Sequence, residues 1–328
     1  MPTLTLAEAH ALVEATLTRC RTAPDNAASV ARALVNAEAD GLKGHGLSRV
    51  PSYAAQAKAG KVDGFAAPSL TWPKPAVAAI DANSGFAFPA IDAAIAVLPQ
   101  AANQNGIAAA SIRRSHHCGA AGYPVERLAE AGLLALMFAN TPAAIAPWGG
   151  AKGVFGTNPI AFACPLPRRA PIVVDLSVSK AARGNILAAK QKGEKIPADW
   201  ALDVDGNPTT DPAAGLAGTM LPLGGAKGTA LALMVELLAA GLTGANFATE
   251  ASSFLDPKGP PPGTGQLLIA FDPSAFGGGV DRFAVLASAI ESQPGARLPG
   301  SRRLEARAKA ARDGLLVGDA LMAEIAAV

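Results

Sequence analysis

The sequence predicts an α/β protein in which a sheet domain sits beside a helical domain assembled from both ends of the chain. Two observations point there. Apolar residues recur at helical spacing before Gly60 and again from Asp281 to the end. Between them, short apolar runs alternate with helical stretches, the pattern of strands joined by helices. The division falls at residues 1–75 with 281–328 for the helical part and 76–280 for the sheet part.

The elements follow in order. Thr5-x-x-Glu8 is a capping box, so the first helix starts at Thr5 and carries Leu12, Val13, Thr16 and Leu17 on one face. A second helix from Asp25 buries Val30, Leu34 and Val35 and stops at Gly41. A third, capped by Ser48, runs to about Ala59. Val62 to Pro75, rich in Gly and Pro, reads as a connection. Strands are then expected at Val77–Asp81, Ile107–Ile112, Leu133–Ala139, Ile160–Ala163, Ile172–Val174 and Leu267–Phe271. Helices are expected at Phe88–Asn103 with a kink at Pro99, at Val125–Ala131, Val178–Lys190 and Thr229–Leu242, and from Asp281 onward.

The 328 residues are 50% hydrophobic and 16% charged with a net charge of +2, a globular profile with a large buried fraction. No run of Lys or Arg exceeds two residues, which argues against nucleic acid as a partner. Cys20, Cys118 and Cys164 are widely separated and form no Cys-x-x-Cys, so reduced thiols in a cytoplasmic protein are expected. Met1-Pro2-Thr3-Leu4-Thr5 has no basic region leading into an apolar one, and no signal peptide is expected. The most apolar stretch, Thr229 to Ala245, carries Glu236 and is short for a membrane span; it reads as a buried helix.

Gly41 to Tyr53 draws attention first. His45 has glycine on both sides, and Arg49 follows four residues on, at the start of a helix. An imidazole beside a guanidinium suits a substrate with a carboxylate next to a carbonyl: Arg forks onto the carboxylate, and His delivers a proton to the oxygen. The plainer alternative is a glycine-rich turn with a surface His and a capping Arg. A second stretch, Arg114-Ser115-His116-His117-Cys118-Gly119-Ala120-Ala121-Gly122-Tyr123, follows an expected strand. Adjacent side chains diverge, which disfavours metal binding; a phosphate or ring-stacking loop fits better, with a plain turn as the alternative.

Neither Gly-x-Gly-x-x-Gly nor Gly-x-x-x-x-Gly-Lys-Ser/Thr occurs, so the residues claim no Rossmann fingerprint and no P-loop. Gly224-Gly225-Ala226-Lys227-Gly228, leading into a helix, is the nearest anion-binding equivalent. Gly156-Thr157-Asn158-Pro159 offers a hydroxyl and an amide in a turn.

Taken together and in order, these blocks resemble the malate/L-lactate (L-sulfolactate) dehydrogenase family of NAD(P)-dependent oxidoreductases, distinct from the Rossmann-type lactate and malate dehydrogenases. The segments that carry the resemblance are GHGLSRVPSY at Gly44–Tyr53, SHHCGAAGY at Ser115–Tyr123, WGGAKGVFGTNPIAFACP at Trp148–Pro165, VDLSVSKAARGNI at Val174–Ile186, GEKIPADWALDVDGNPTTDP at Gly193–Pro212, GGAKGTALALMVELLAAGLTG at Gly224–Gly244 and LPGSRR at Leu298–Arg303. They span nearly the whole chain.

The resemblance implies a mixed-sheet, non-Rossmann nucleotide-binding domain, NADP or NAD as cofactor, a small carboxylate substrate and a homodimer. The implied reaction is hydride transfer between nicotinamide and a 2-hydroxy acid/2-oxo acid pair of the malate, lactate or sulfolactate type. By position it makes His45 the proton donor, Arg49 the carboxylate clamp and Thr157 a substrate contact. Cofactor contacts would come from His117, Cys118, Gly119, Ala120 and Ala121, from Asp175, Leu176 and Ser177, from Ala226 and Lys227, and from Arg302 and Arg303.

The chain departs from the family's cyclic-imine branch, which has Ser before the histidine and Asp after Ala-Arg-Gly; here those positions are Gly44 and Asn185. Glycine cannot bond the imidazole, and neutral Asn cannot stabilise imidazolium as a carboxylate does, so the 2-oxo acid pair is favoured. Cys118 stands where this loop often carries an aromatic. The alternatives are a Δ1-pyrroline-2-carboxylate/Δ1-piperideine-2-carboxylate reductase and a non-catalytic nucleotide-binding homologue.

Overall fold

The computed structural model describes residues 2–328; Met1, where the leader reading starts, lies outside the described residues. The chain opens with β1 (Thr3–Leu4) and α1 (Leu6–Arg19). Thr5 caps α1 through the full box the sequence predicts: its hydroxyl accepts the Glu8 N–H at 3.2 Å, and the Glu8 carboxylate accepts the Thr5 N–H at 2.7 Å. Next come α2 (Pro24–Ala39), which starts on a proline, and α3 (Val50–Ala59). Ser48 does not cap α3. Its hydroxyl donates to the Lys43 carbonyl instead, and Arg49 occupies the cap position.

The sheet elements follow as β2 (Ser69–Lys74), β3 (Val77–Asp81), α4 (Ala87–Asn105), β4 (Ile107–Ser115), α5 (Gly122–Glu130), β5 (Leu134–Ala139), β6 (Ile160–Leu166) and β7 (Arg169–Leu176). An excursion holds α6 (Arg183–Lys192), β8 (Ala201–Leu202), α7 (Pro212–Ala217) and β9 (Thr219–Met220). Then come α8 (Ala226–Glu236), β10 (Thr264–Phe271), α9 (Val280–Glu291), α10 (Ser301–Asp313), β11 (Leu315–Leu316) and α11 (Asp319–Ala327).

Seven strands form one mixed sheet in the order β2-β3-β4-β10-β5-β6-β7. Only β3 and β4 are parallel, joined by the α4 crossover, and every other neighbouring pair is antiparallel. A doubly wound parallel sheet is therefore ruled out, which accounts for the missing Rossmann fingerprint. Helices α4 and α5 cover one face: Ile91, Leu98, Val125 and Leu128 bury against Ile80, Ile112, Met137 and Leu268. Each such side chain contributes about 1.5–3 kcal/mol of burial free energy. On the other face Val235 of α8 packs with Phe138 and Leu267. A second core joins Val13, Leu17, Val30, Leu34, Val50 and Tyr53 to Ala310, Leu315 and Ile325, so the two chain ends share it. The β1–β11 ladder, Thr3 opposite Leu316, closes the same join.

Several expectations need correction. The stretch read as a connection contains β2, an edge strand of the large sheet. Pro73 is tolerated there because an edge strand is paired on one side only, and the register slips between Thr71 and Lys74. Its exposed residues hide the strand period. Helix α9 packs through Ala287 on Leu166 of β6, so it belongs with the sheet and not with the terminal helices. Residues 178–182 are not helical. Val178 N–H donates to Thr157 O, and Lys180 N–H to Leu221 O, so that segment is tied to other loops before α6 begins. Helix α4 runs unbroken through Pro99, and α8 passes into a π-helical turn, Leu237–Gly241.

Candidate active site

His45 ends a short 3₁₀ turn, Lys43–His45, between α2 and α3. Glu38 of α2 fixes this loop by accepting the Leu47 N–H at 2.9 Å. A side chain at position 46 would overlap the Glu38 carboxylate, so Gly46 is required by packing rather than by ligand approach. Position 44 is different: a Cβ there meets nothing within 4 Å. Arg49 donates from Nε to the Gly44 carbonyl at 2.6 Å, and its two terminal nitrogens make no hydrogen bond among the described residues. The guanidinium is thus held by its stem side with its fork uncommitted.

The β4–α5 loop brings His117 against this turn. The His45 and His117 rings stack, with centroids 5.4 Å apart and planes 13° from parallel. Nδ1 of His117 lies 2.5 Å from the Tyr53 hydroxyl of α3. Burial drives the Tyr53 phenol's pKa well above its usual value and that of His117 well below, so the phenol is protonated and the imidazole neutral. The hydroxyl donates to Nδ1, which leaves the His117 proton on Nε2. Burial, and secondarily the Arg49 charge, lowers His45 to about 4. The Nδ1 atom of His45 is buried with no partner among the described residues. His116 turns the other way, its Nε2 3.0 Å from Gln56 Oε1, and burial lowers it to about 3, helped by Lys61 and Arg49.

Cys118 is buried, and burial with the nearby Asp175 charge pushes its thiol up to about 12, far from reactivity. Gly119 is left-handed (φ +68°) and its Cα faces the Phe88 ring; a Cβ would sit 3.1 Å from that ring. Ala120 and Ala121 complete the loop, and α5 starts at Gly122, whose N–H donates to Asp175 Oδ2 at 2.7 Å. Asp175, at the end of β7, is solvent-exposed, and desolvation raises its carboxyl against the lowering effect of the Gly122 N–H. Leu176 is exposed beside it, and the Ser177 hydroxyl bonds Ser179 at 2.8 Å.

Thr157 is anchored by Thr141: its N–H donates to Thr141 Oγ1 at 2.9 Å, and the two hydroxyls are 3.3 Å apart. The next residue, Asn158, donates to Glu236 Oε2 at 2.7 Å, while Asn140 and the Ala248 N–H donate to Oε1. The Glu236 charge in the apolar stretch thus serves as a buried acceptor for three donors.

Ala226 and Lys227 open α8 and are exposed, next to Gly225, which lies against the Trp148 ring. Among the described residues no hydrogen bond or ring contact joins Lys227 to the histidine pair. Arg302 is exposed on the first turn of α10. Arg303 points inward: its Nη1 and Nη2 bond Glu126 at 2.6 and 2.8 Å, and Nη1 bonds Asp40 at 3.0 Å. Its guanidinium is committed to a buried ion network with Arg307, so the expected direct cofactor contact is not available to it.

The structure therefore gathers His45, Arg49 and His117 in one place and the Cys118–Ala121 loop with Asp175 in another, joined through His117. Sequence reasoning missed Tyr53, Gln56, Thr141 and Phe254, whose ring packs on both His116 and His117 at 5.2 and 5.1 Å. Tyr53 alone carried a signal, one helical turn after Arg49.

A half-buried, uncharged imidazole beside an uncommitted guanidinium, next to a loop at a helix N-terminus, suits an oxidoreductase acting on small carboxylates. The family model for malate/L-lactate dehydrogenase matches residues 4–326, and the chain belongs to that family. It is 50% identical over 301 residues to a (2R)-3-sulfolactate dehydrogenase (NADP(+)) of Chromohalobacter salexigens, covering 92% of this chain and 90% of the relative. It is 42% identical over 333 residues to a Δ1-pyrroline-2-carboxylate reductase of Ancylobacter novellus, covering 99% and 97%. Among solved structures, Δ1-piperideine-2-carboxylate reductase from Pseudomonas syringae superposes with a TM-score of 0.92 at 38% identity over 99% of both chains. Sulfolactate dehydrogenase from Methanocaldococcus jannaschii gives 0.90 at 30% identity, over 99% of this chain and 95% of that one.

Proposed function

We propose that this chain interconverts a 2-hydroxy acid and its 2-oxo acid, of the sulfolactate type, with NADP(H) as the preferred cofactor. The observation that carries this reading is the Arg49 fork, uncommitted and next to a stacked, half-buried His45. Arg49 binds the substrate carboxylate through its two terminal nitrogens, and Thr157 contacts the substrate. His45 gives a proton to the carbonyl oxygen in reduction and takes it back in oxidation.

The residues suit a nicotinamide dinucleotide. Asp175 Oδ1 makes no hydrogen bond among the described residues and can accept one from a ribose hydroxyl. His117 through Ala121, with Leu176 and Ser177, would flank the same cofactor. Ala226 and Lys227 offer amides and a cation to phosphate, and Arg302 a cation to a 2′-phosphate. Bound there, the cofactor supplies or accepts the hydride at the substrate carbon.

Arg49 also links binding to protonation. Its charge helps to hold His45 near 4, so His45 is neutral in the free enzyme at neutral pH. A carboxylate on Arg49 cancels that charge and raises the imidazole's proton affinity when the proton is needed.

Cyclic-imine reduction is the second reading, favoured by relatives such as the Ancylobacter enzyme. Against it, position 44 is empty space where Ser would supply a hydroxyl, and Asn185 lies on the exposed first turn of α6. We also propose a cytoplasmic homodimer. All three cysteines are buried and free, and Leu233 and Met234 of α8 with Leu237 of the π-helical turn expose an apolar face that a second copy would cover. No helix among the described residues is long and apolar enough to cross a membrane.

The test is a panel of 2-oxo acids, 3-sulfopyruvate among them, and cyclic imino acids, each assayed with NADPH and NADH. Highest kcat/KM on a 2-oxo acid with NADPH is expected. A cyclic imine as the best substrate would hand the site to the second reading.

A further inference from the structure

Lys61 is 2% exposed, and its carboxylate partner sits only at the edge of ion-pair reach. The carboxylate of Asp256 is 4.0 Å away and 45% exposed. The ammonium donates instead to two main-chain carbonyls, Ser253 at 2.6 Å and Asp256 at 3.0 Å. From α3, Gln56 holds the carbonyl between them: its Nε2 donates to Phe254 O at 2.9 Å, while its Oε1 meets His116. Two buried side chains five positions apart thus grip the loop on both sides of Phe254. The ring held this way packs on His116 and His117, and His117 stacks on His45.

Burying an ammonium without a close counter-charge is unfavourable. The loop already has local ties, because Ser253 Oγ accepts the Leu255 N–H and Asp256 Oδ1 the Lys258 N–H. Order alone does not call for a buried lysine. What the lysine adds is a fixed depth for Phe254.

We propose that Lys61 is a positioning residue of the reaction. By clamping the 253–256 loop it sets the Phe254 ring as a wall against the His116–His117 pair, which keeps water off the imidazoles and holds His117 parallel to His45. The inference rests on the reading of His45 as proton donor.

Lys61→Met keeps the apolar stem and removes the donors; Phe254→Leu keeps an apolar side chain and removes the ring. Both are assayed against the parent on whichever carboxylate substrate the parent reduces fastest, so a wrong substrate class does not affect the comparison. Each variant is expected to bind NADPH within about threefold of the parent and to lose roughly tenfold or more in kcat, with KM moving less. In the reduction direction, where His45 gives the proton, the alkaline limb of the pH profile should shift upward by about half a unit as water reaches the imidazoles. The double variant should lose little more than the worse single one, since both act through the same wall. Parent-like kcat and pH profile in a folded Lys61→Met, whatever its thermal stability, would overturn the proposal. Should Lys61→Met not fold, Lys61→Gln takes its place, and an unchanged Phe254→Leu is sufficient to reject it. A His45→Ala enzyme that turns over normally would remove the proton-donor reading separately.

Discussion

His45 lies face to face with His117, ring centroids 5.4 Å apart, and the His117 ring is locked by the Tyr53 hydroxyl at 2.5 Å. Two neutral imidazoles stacked under an arginine make a site in which a proton on His45 is unfavourable until an anion arrives. His45→Ala should therefore cut kcat by about a hundred- to ten-thousandfold while nucleotide affinity stays near the parent's. Steady-state kinetics with a nucleotide titration measure both, and a loss under roughly threefold would exclude His45 as the proton donor.

The buried histidines also set how stability responds to acid. His116 is lowered to about 3 and His117 well below its usual range, each chiefly by burial. Both are neutral when folded, whereas the unfolded chain takes up protons near pH 6.5. Their stabilisation is therefore complete above about pH 6.5 and is lost as pH falls, with a slope approaching 1.4 kcal/mol per pH unit for each ring. Urea midpoints from pH 7.5 down to 5 should fall, and less steeply in His116→Gln. Comparing the two proteins isolates His116 from the raised carboxyls of Glu38 and Asp175, which act in the opposite sense. Parallel pH curves would contradict the assignment.

Arg303 and Arg307 of α10 meet Glu126 of α5 and Asp40 at the end of α2, with both acids 3% exposed. Burial alone would raise the Glu126 carboxyl, but bonds from the two arginines hold it below its usual value. Arg303→Leu leaves buried acid uncompensated and should cost about 3–5 kcal/mol of stability. Arg302→Ala should leave stability unchanged and weaken NADPH relative to NADH. If Arg303→Leu is as stable as the parent, the network is not what fixes α10.

Lys227 stands at the N-terminus of α8, where amides and charge both favour an anion. Lys227→Ala should bind NADPH more weakly and show a shallower salt dependence. Equal affinity at low and high salt in parent and variant would return the Gly224–Gly228 turn to a purely structural role.

What was legible in the sequence follows from distance along the chain. The Thr5 box, the Val77–Asp81 strand and the His45–Arg49 pair are local, and each was readable from a few adjacent residues. The Tyr53–His117 bond spans 64 positions and the Gln56–Phe254 bond 198, so no local pattern announces either. Edge strand β2 was missed because almost uniformly exposed residues and a proline blur the strand period. Arg302 and Arg303 looked alike as sequence; only the helix they start decides that one faces solvent and the other the Glu126 carboxylate.

Arg49→Lys probes whether Arg49 clamps the substrate carboxylate. The Nε bond to Gly44 O keeps the fork in place, and lysine has neither that bond nor two parallel donors. Kinetics of parent and variant on a 2-oxo acid and on its amide or ester give the answer. The expected result is a rise in KM for the acid and a loss of about ten- to hundredfold in kcat/KM, corresponding to about 1.5–3 kcal/mol, with the neutral analogue and nucleotide binding little affected. Equal losses on acid and ester, or none on the acid, would contradict it.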